Sequence, residues 1–250
     1  MSSMAATLIT IPFSHYCEKA RWALERCGIA YREDGHLPLF HWLAVRRAGA
    51  KRTVPVLADG ELLLTDSTDI IAWADARRPG TLLPVDPEAR AAALALEDDF
   101  DRQLGPATRR WAYFHALPRK DLDDQIVHGT PRWQAIALKL SRPLAVRMLS
   151  RGLRIDAAGA ERSRTKIEET FTRVAELLSD GRRYLVGDRF TVADLTFAAL
   201  AGPVVAPRER PFGVPALDDL TGDARAQVEA WRASPAGRFA LRVYADHRSA

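Results

Sequence analysis

Residues 7–24 read TLITIPFSHYCEKARWAL. The first seven of these residues are mostly apolar and rich in β-branched side chains, which predicts a short buried strand over residues 7–13. From Cys17 onward the apolar residues recur at helical spacing, and Gly28 provides a C-terminal stop. The helical stripe consists of Ala20, Ala23, Leu24 and Cys27. The stretch therefore predicts a strand that leads directly into a helix.

Two more elements and a hairpin signal follow. Residues 29–32 are predicted to form a second strand and residues 40–47 a short helix. The apolar runs at 53–57 (TVPVL) and 61–64 (ELLL) flank Ala-Asp-Gly, a combination typical of a hairpin. Pro55 lies inside the first run, where it cannot donate to a sheet. It therefore indicates an edge strand, a bulge or a cis peptide bond.

A third helix is predicted over residues 70–76, and the polar residues before it can cap its first turn. These residues are Asp66, Ser67 and Thr68. Residues 1–80 thus have the order β-α-β-α-β-β-α and are predicted to form one domain. Residues 81–87 are predicted to be a linker. Because no convincing strand follows, residues 88–250 are predicted to form an all-helical second domain.

The second domain carries its own helix signals. A long helix is predicted over residues 88–111, and residues 191–200 are apolar on nearly every side, which predicts a buried helix. Ser234 and Pro235 resemble an N-cap and a first helical residue, and they predict a final helix to about Asp246. An amphipathic stripe is formed by Ile167, Phe171, Val174 and Leu178.

Composition limits the function classes. Lys and Arg number 36 against 32 Asp and Glu, a net charge of +4. So small an excess, spread along the chain, gives no case for nucleic acid and fits an anionic small molecule equally well. No stretch approaches the roughly 18 apolar residues that span a bilayer, and residues 1–6 lack the features of a signal peptide. No cluster of metal ligands is visible.

The two cysteines indicate the compartment. Cys17 and Cys27 lie on one predicted helix, about 15 Å apart at 1.5 Å per residue. That distance is too long for a disulfide bond. A reducing, cytoplasmic location is therefore expected.

Four short motifs resemble those of the glutathione transferase superfamily. Residues 14–24 (SHYCEKARWAL) are similar to the first helix of bacterial, plant and cyanobacterial members that have serine or cysteine at the place of Ser14. Residues 53–57 resemble the family's cis-proline strand, Asp66-Ser67 its polar pair before the third helix, and 187–195 (GDRFTVADL) its capping box. Because the motifs occur in the family's order, the resemblance implies a thioredoxin-like α/β N-terminal domain and an all-α C-terminal domain.

The resemblance also implies a role for each motif. The Ser14 hydroxyl would donate a hydrogen bond to the thiolate of glutathione, the cosubstrate. Val54, with a cis peptide bond to Pro55, would pair through its backbone with the cysteinyl part. At the γ-glutamyl end, Asp66 would take the ammonium group and Ser67, with its helix N-terminus, the carboxylate.

For Ser14, elementary electrostatics supports the same role. Backbone N–H groups and the helix dipole at the start of a helix favour a negative charge, so a thiolate held there has a lowered pKa. A charge-assisted hydrogen bond contributes about 1.5–3 kcal/mol. The alternative is that Ser14 is only an N-cap, which serine also favours.

Five further residues are candidates for the site. Cys17 is either an alternative catalytic thiol or a buried, inert side chain. Tyr16 is either a packing residue or a phenol near the thiol. His41, Lys51 and Arg52 are candidates for binding the glycyl carboxylate, and the alternative for each is a solvated surface group.

Residues 131–154 form a basic segment with no acidic residue and with Pro143 expected to kink or split any helix through it. Its basic residues are Arg132, Lys139, Arg142, Arg147, Arg151 and Arg154. Such a segment is either a solvated face, a surface for membranes or acidic partners, a wall of the pocket for the electrophile, or a surface that attracts an anionic substrate.

Three functions follow from these observations. The first is a glutathione transferase that attacks a small apolar electrophile, with a homodimer implied by the family and neither nucleic acid nor membrane insertion expected. The second is a thiol-disulfide or glutathionyl oxidoreductase that uses Cys17. The third is a non-catalytic binding protein with the same fold.

Overall fold

A computed structural model describes residues 6–210 and 216–248. The predicted limits of the two domains at residues 1 and 250 lie outside these ranges. The first part of the chain has the predicted order β-α-β-α-β-β-α. Its elements are β1 (Ala6–Thr10), α1 (His15–Arg26), β2 (Tyr31–Gly35), α2 (His41–Arg47), β3 (Val56–Asp59), β4 (Leu62–Leu64) and α3 (Ser67–Arg77).

The four strands form one mixed sheet in the order β2-β1-β3-β4. β1 is parallel to β2 and antiparallel to β3, and β3 is antiparallel to β4. Successive side chains of a strand point to opposite faces. Leu8 and Leu57 therefore pack with α1 and α3 on one face, whereas Ile9 and Val56 pack with Val45 of α2 on the other.

The second strand begins two residues later than predicted, at Tyr31 rather than residue 29. The Ile29 N–H donates to the Leu24 carbonyl at 2.9 Å, so Ile29 still belongs to the end of α1. Gly28 makes this possible with a φ of +68°, a conformation that only glycine adopts at little cost.

The rest of the described chain contains helices and no strand. Seven α-helices follow: α4 (Pro87–Ala116), α5 (Asp123–Ile126), α6 (Arg132–Gly152), α7 (Ala157–Leu177), α8 (Val192–Val205), α9 (Gly222–Ala233) and α10 (Pro235–His247). Every residue of α8 is buried, as its sequence predicts. It packs against α1, α4 and α10 and so joins the sheet domain to the helical one. No helix within the described ranges is long and apolar enough to cross a bilayer.

Pro143 does not split α6, which was one of the two expected outcomes, because α6 runs unbroken from Arg132 to Gly152. The proline leaves the carbonyl of Lys139 without its helical donor. Because Lys139 is exposed, water can satisfy that carbonyl. The helix therefore tolerates the proline at a surface position.

Candidate functional site

A cleft of about 680 Å³ lies between the two parts of the fold. The sheet domain contributes the turn before α1, the segment before α2 and the segment before β3, and the opposite walls come from α4 and α6. Five of the residues considered for the glutathione site line this one cleft. They are Ser14, Tyr16, His41, Arg52 and Val54.

Ser14 is the N-cap of α1 and is partly exposed to the cleft. Its Oγ accepts a hydrogen bond from the Cys17 N–H at 3.4 Å, longer than the usual 2.7–3.2 Å. No described residue accepts a hydrogen bond from the Ser14 hydroxyl. The hydroxyl therefore can cap the helix and still donate to a group in the cleft.

Val54 joins Pro55 through a cis peptide bond, as the sequence suggested. Pro55 is buried, whereas Val54 is partly exposed and lines the cleft. Within the described chain, no hydrogen bond joins the Val54 backbone to another residue. The N–H and C=O of Val54 are thus available to a molecule bound in the cleft that Ser14 also lines.

Tyr16 and His41 are both held by backbone carbonyls. The Tyr16 hydroxyl donates to the Asp101 carbonyl at 2.8 Å, and burial raises its pKa, so it stays a phenol. The His41 Nε2 lies 3.1 Å from the Arg52 carbonyl, and burial lowers the pKa of the imidazole. Both side chains therefore line the cleft as uncharged groups at neutral pH.

Asp66 and Ser67 lie at the start of α3, outside the cleft lining. The exposed Asp66 carboxylate caps the Thr68 N–H at 2.8 Å. Ser67 is buried. Burial raises the pKa of Tyr16 most, and the Asp66 charge contributes to the same shift.

Cys17 is completely buried and is not part of the cleft lining. Burial raises the pKa of its thiol to about 11. The thiolate is the reactive form of cysteine. These properties weigh against Cys17 as a nucleophile, and the buried Cys27 belongs to the same core as α1.

Three residues at the Ser14 end of the cleft were not predicted: His15, Arg109 and Arg210. His15 is buried, with its Nε2 2.8 Å from the Gly105 carbonyl of α4, and burial lowers its pKa to about 3. The Arg210 guanidinium donates to the Phe13 carbonyl, one residue before Ser14. Arg109 lies one helical turn after Gly105, but nothing in the sequence of α4 distinguishes it from neighbouring arginines.

The basic segment forms a wall of the cleft, one of the roles considered for it. Leu138, Ala145 and Leu149 of α6 line the interior. Arg142 binds the Asp123 carboxylate at 2.7 Å and also donates to the carbonyls of the loop before α5. At the other end of α6, the buried Gln134 binds the first domain through Leu37 N–H (2.8 Å) and His36 Nδ1 (2.7 Å).

Two family models match the sequence. "Glutathione S-transferase, N-terminal domain" matches residues 8–82, and "Glutathione S-transferase, C-terminal domain" matches residues 157–234. Together they cover more than half of the chain. Residues 83–156, which include most of the helical wall of the cleft, lie between the two matches.

Several known proteins resemble the chain. A stringent starvation protein A homolog of Pasteurella multocida is 26% identical over 190 residues, 70% of this chain and 90% of that protein. A glutathione S-transferase of Methylobacterium radiotolerans, solved with glutathione sulfonate, has a TM-score of 0.59 at 23% identity and covers 95% of both chains. One from Ceriporiopsis subvermispora, solved with glutathione, has a TM-score of 0.66 at 17% identity and covers 99% of both. These structures share the fold.

Proposed function

This chain belongs to the glutathione S-transferase family, and on that premise we propose that it is a glutathione transferase. It would bind glutathione along the sheet domain and transfer it to an electrophile in the cleft. The observation that carries the proposal is the arrangement around Ser14. Among the described residues, a Ser14 hydroxyl free to donate, a Val54 backbone without a hydrogen bond and the start of α1 share the cleft with Arg109 and Arg210.

The residues at the Ser14 end suit a sulfur anion. The Ser14 hydroxyl would donate to the sulfur, and the first turn of α1 and the charges of Arg109 and Arg210 would lower the pKa of the thiol. The thiol proton goes to solvent. The sulfur lone pair then forms a bond to an electrophilic carbon, whose leaving group departs with its own bonding pair.

The remaining contacts would orient the tripeptide. The Val54 N–H and C=O would pair with its cysteinyl backbone, and Arg52 or His41 would lie near its glycyl end. Asp66 would take the ammonium group and Ser67 the carboxylate of the γ-glutamyl end. Fixed orientation of two reactants is itself a large part of catalysis.

Calorimetry with glutathione, followed by a conjugation assay with a neutral aryl chloride, tests this function. Saturable binding at a one-to-one ratio and formation of the thioether are expected. Sedimentation of the same sample measures the homodimer that the family leads us to propose. Absence of glutathione binding by folded protein would refute the transferase function and favour the third hypothesis, a binding protein of this fold. The similarity to a stringent starvation protein A homolog is the reason to consider this third hypothesis.

A further inference from the structure

We propose that the electrophile is an organic anion: an apolar or aromatic molecule that carries a carboxylate or sulfonate, bound by Arg109 and Arg210. This inference rests on the transferase function proposed above and narrows its substrate class. It comes from the charges and apolar surfaces of the cleft.

Cationic side chains greatly outnumber anionic ones in the cleft lining. Asp123 is the single carboxylate among the described lining residues, and Arg142 binds it. The other arginines of the lining form no ion pair with a described carboxylate. They are Arg52, Arg109, Arg151 and Arg210.

Arg109 and Arg210 differ from the other two because they lie at the reacting end. Arg109 is partly buried and forms no hydrogen bond or ion pair with any described residue. Arg210 is buried, and the described residues accept from it only at the Phe13 carbonyl. Guanidinium groups have five N–H donors and pair with carboxylates in two parallel hydrogen bonds. Both residues therefore retain capacity for an anion.

Glutathione alone leaves this capacity partly unused. Its thiolate supplies one negative charge at Ser14, against the two cations that flank that position. Arg210 also interacts electrostatically with the buried Glu18 carboxylate, so the cation without an anion among the described residues is Arg109. An isolated charge in a poorly solvated cleft is costly, and a second anion there would offset it. The histidines of the lining add no charge at neutral pH, since burial lowers the pKa of both His15 and His41.

The surfaces next to these cations are apolar. Phe13 and Tyr113 meet edge to face, with ring centroids 6.3 Å apart. Tyr113 follows Arg109 by one turn on the same face of α4. The wall continues with Ala112, Ala116, Leu117, Leu138, Val146 and Leu149. A flat apolar body with an acidic group at one end matches this arrangement.

The test compares two electrophiles that differ in charge, 4-chloro-3,5-dinitrobenzoate and its methyl ester. The wild-type protein is expected to have a KM about tenfold lower for the acid, the effect of one charge-assisted contact of about 1.4 kcal/mol. Arg109→Gln should reduce this preference about tenfold, and Arg109→Lys should keep part of it. Arg102→Gln, an exposed arginine on the same helix, is the control and should leave the preference unchanged.

A binding measurement separates this inference from the transferase function. The anionic dye 8-anilinonaphthalene-1-sulfonate should bind the protein without glutathione, about tenfold more weakly after Arg109→Gln. Dye affinity that depends on Arg109 supports the anion site even if neither electrophile reacts. Equal KM values for acid and ester, together with dye affinity that does not change in Arg109→Gln, would overturn the inference even if the ester is conjugated. An equal loss with both electrophiles, with the preference for the acid unchanged, would limit Arg109 to its role beside the thiolate and also overturn the inference.

Discussion

The Nε2 of His15 lies 2.8 Å from the backbone carbonyl of Gly105. This contact joins the first turn of α1, beside the proposed thiolate, to the middle of α4. Gly105 has no room for a side chain, because a Cβ there would lie 2.2 Å from the Tyr16 hydroxyl. The close approach of the two helices therefore depends on His15 as a neutral donor and on glycine opposite it.

His15 should make the protein sensitive to acid. Its pKa is about 3 in the fold and about 6.5 when unfolded. Below pH 6.5, His15 binds a proton in the unfolded chain but stays neutral in the folded one. The stability that comes from this difference is therefore present above pH 6.5 and is lost as the pH falls toward 3. Between pH 7 and 4 the loss is on the order of 3 kcal/mol at about 1.36 kcal/mol per unit.

Urea unfolding of wild type and His15→Gln at several pH values measures this contribution. The variant should lose less stability than wild type over the same interval, because glutamine keeps an N–H donor but does not titrate. Parallel curves for the two proteins would show that His15 is protonated or solvated in the fold.

Ser14→Ala should raise the pKa of bound glutathione by roughly one to two units. A charge-assisted hydrogen bond contributes about 1.5–3 kcal/mol, and each pKa unit corresponds to about 1.36 kcal/mol. The ultraviolet absorbance of the thiolate, followed against pH, measures the pKa of bound glutathione. Ser67→Ala is the matched control, expected to weaken glutathione binding without moving the pKa of the thiol. If bound glutathione titrates identically in Ser14→Ala, the serine is only a helix cap.

Cys17→Ala should keep conjugation within about twofold of wild type and cost less than about 2 kcal/mol of stability. The thiol is buried with a pKa of about 11. An aromatic disulfide reagent should therefore not label Cys17 in the native protein at neutral pH, although it should label the unfolded chain. Rapid native labelling of Cys17, or a disulfide-reductase activity abolished in Cys17→Ala, would support the oxidoreductase hypothesis.

Lys19→Met should destabilise the protein by about 3–5 kcal/mol, because it leaves buried carboxylates without a cation. The fully buried Lys19 ammonium binds Glu97 and, at 2.7 Å, Asp101, both on α4. Unfolding by denaturant measures the change in the free energy of unfolding. Lys166→Met removes an ion pair with Glu169 on the surface of α7 and should change stability far less. Similar losses for the two variants would contradict this role of Lys19.

The sheet domain was predictable because its signals are local. Gly28, Pro55 and Asp66 each act within a few residues of their own position, as a helix stop, a cis bond and a cap. Their order along the chain specifies the fold without knowledge of distant contacts. The error of two residues at β2 arose where Ile29 still bonds to α1.

The cations of the cleft could not be predicted in the same way. Whether Arg109 or its neighbour Arg110 faces the cleft depends on how α4 rotates against α1, which buried contacts such as His15 with Gly105 decide. Arg210 reaches Phe13 from a segment nearly two hundred positions later. Such pairings become visible only when the packed helices are known.

α6 spans 21 residues, yet only Gln134 and Ala145 are buried. The Gln134 amide forms two hydrogen bonds with the sheet domain. Next to them, the rings of Trp133 and Phe40 meet edge to face. On the α6 side, a molecule in the cleft is thus enclosed by a helix that hydrogen bonds, rather than a packed core, hold against the sheet domain. If the proposed transferase function holds, Gln134→Ala is expected to weaken this contact and change the rate of product release, although Gln134 is not part of the cleft lining.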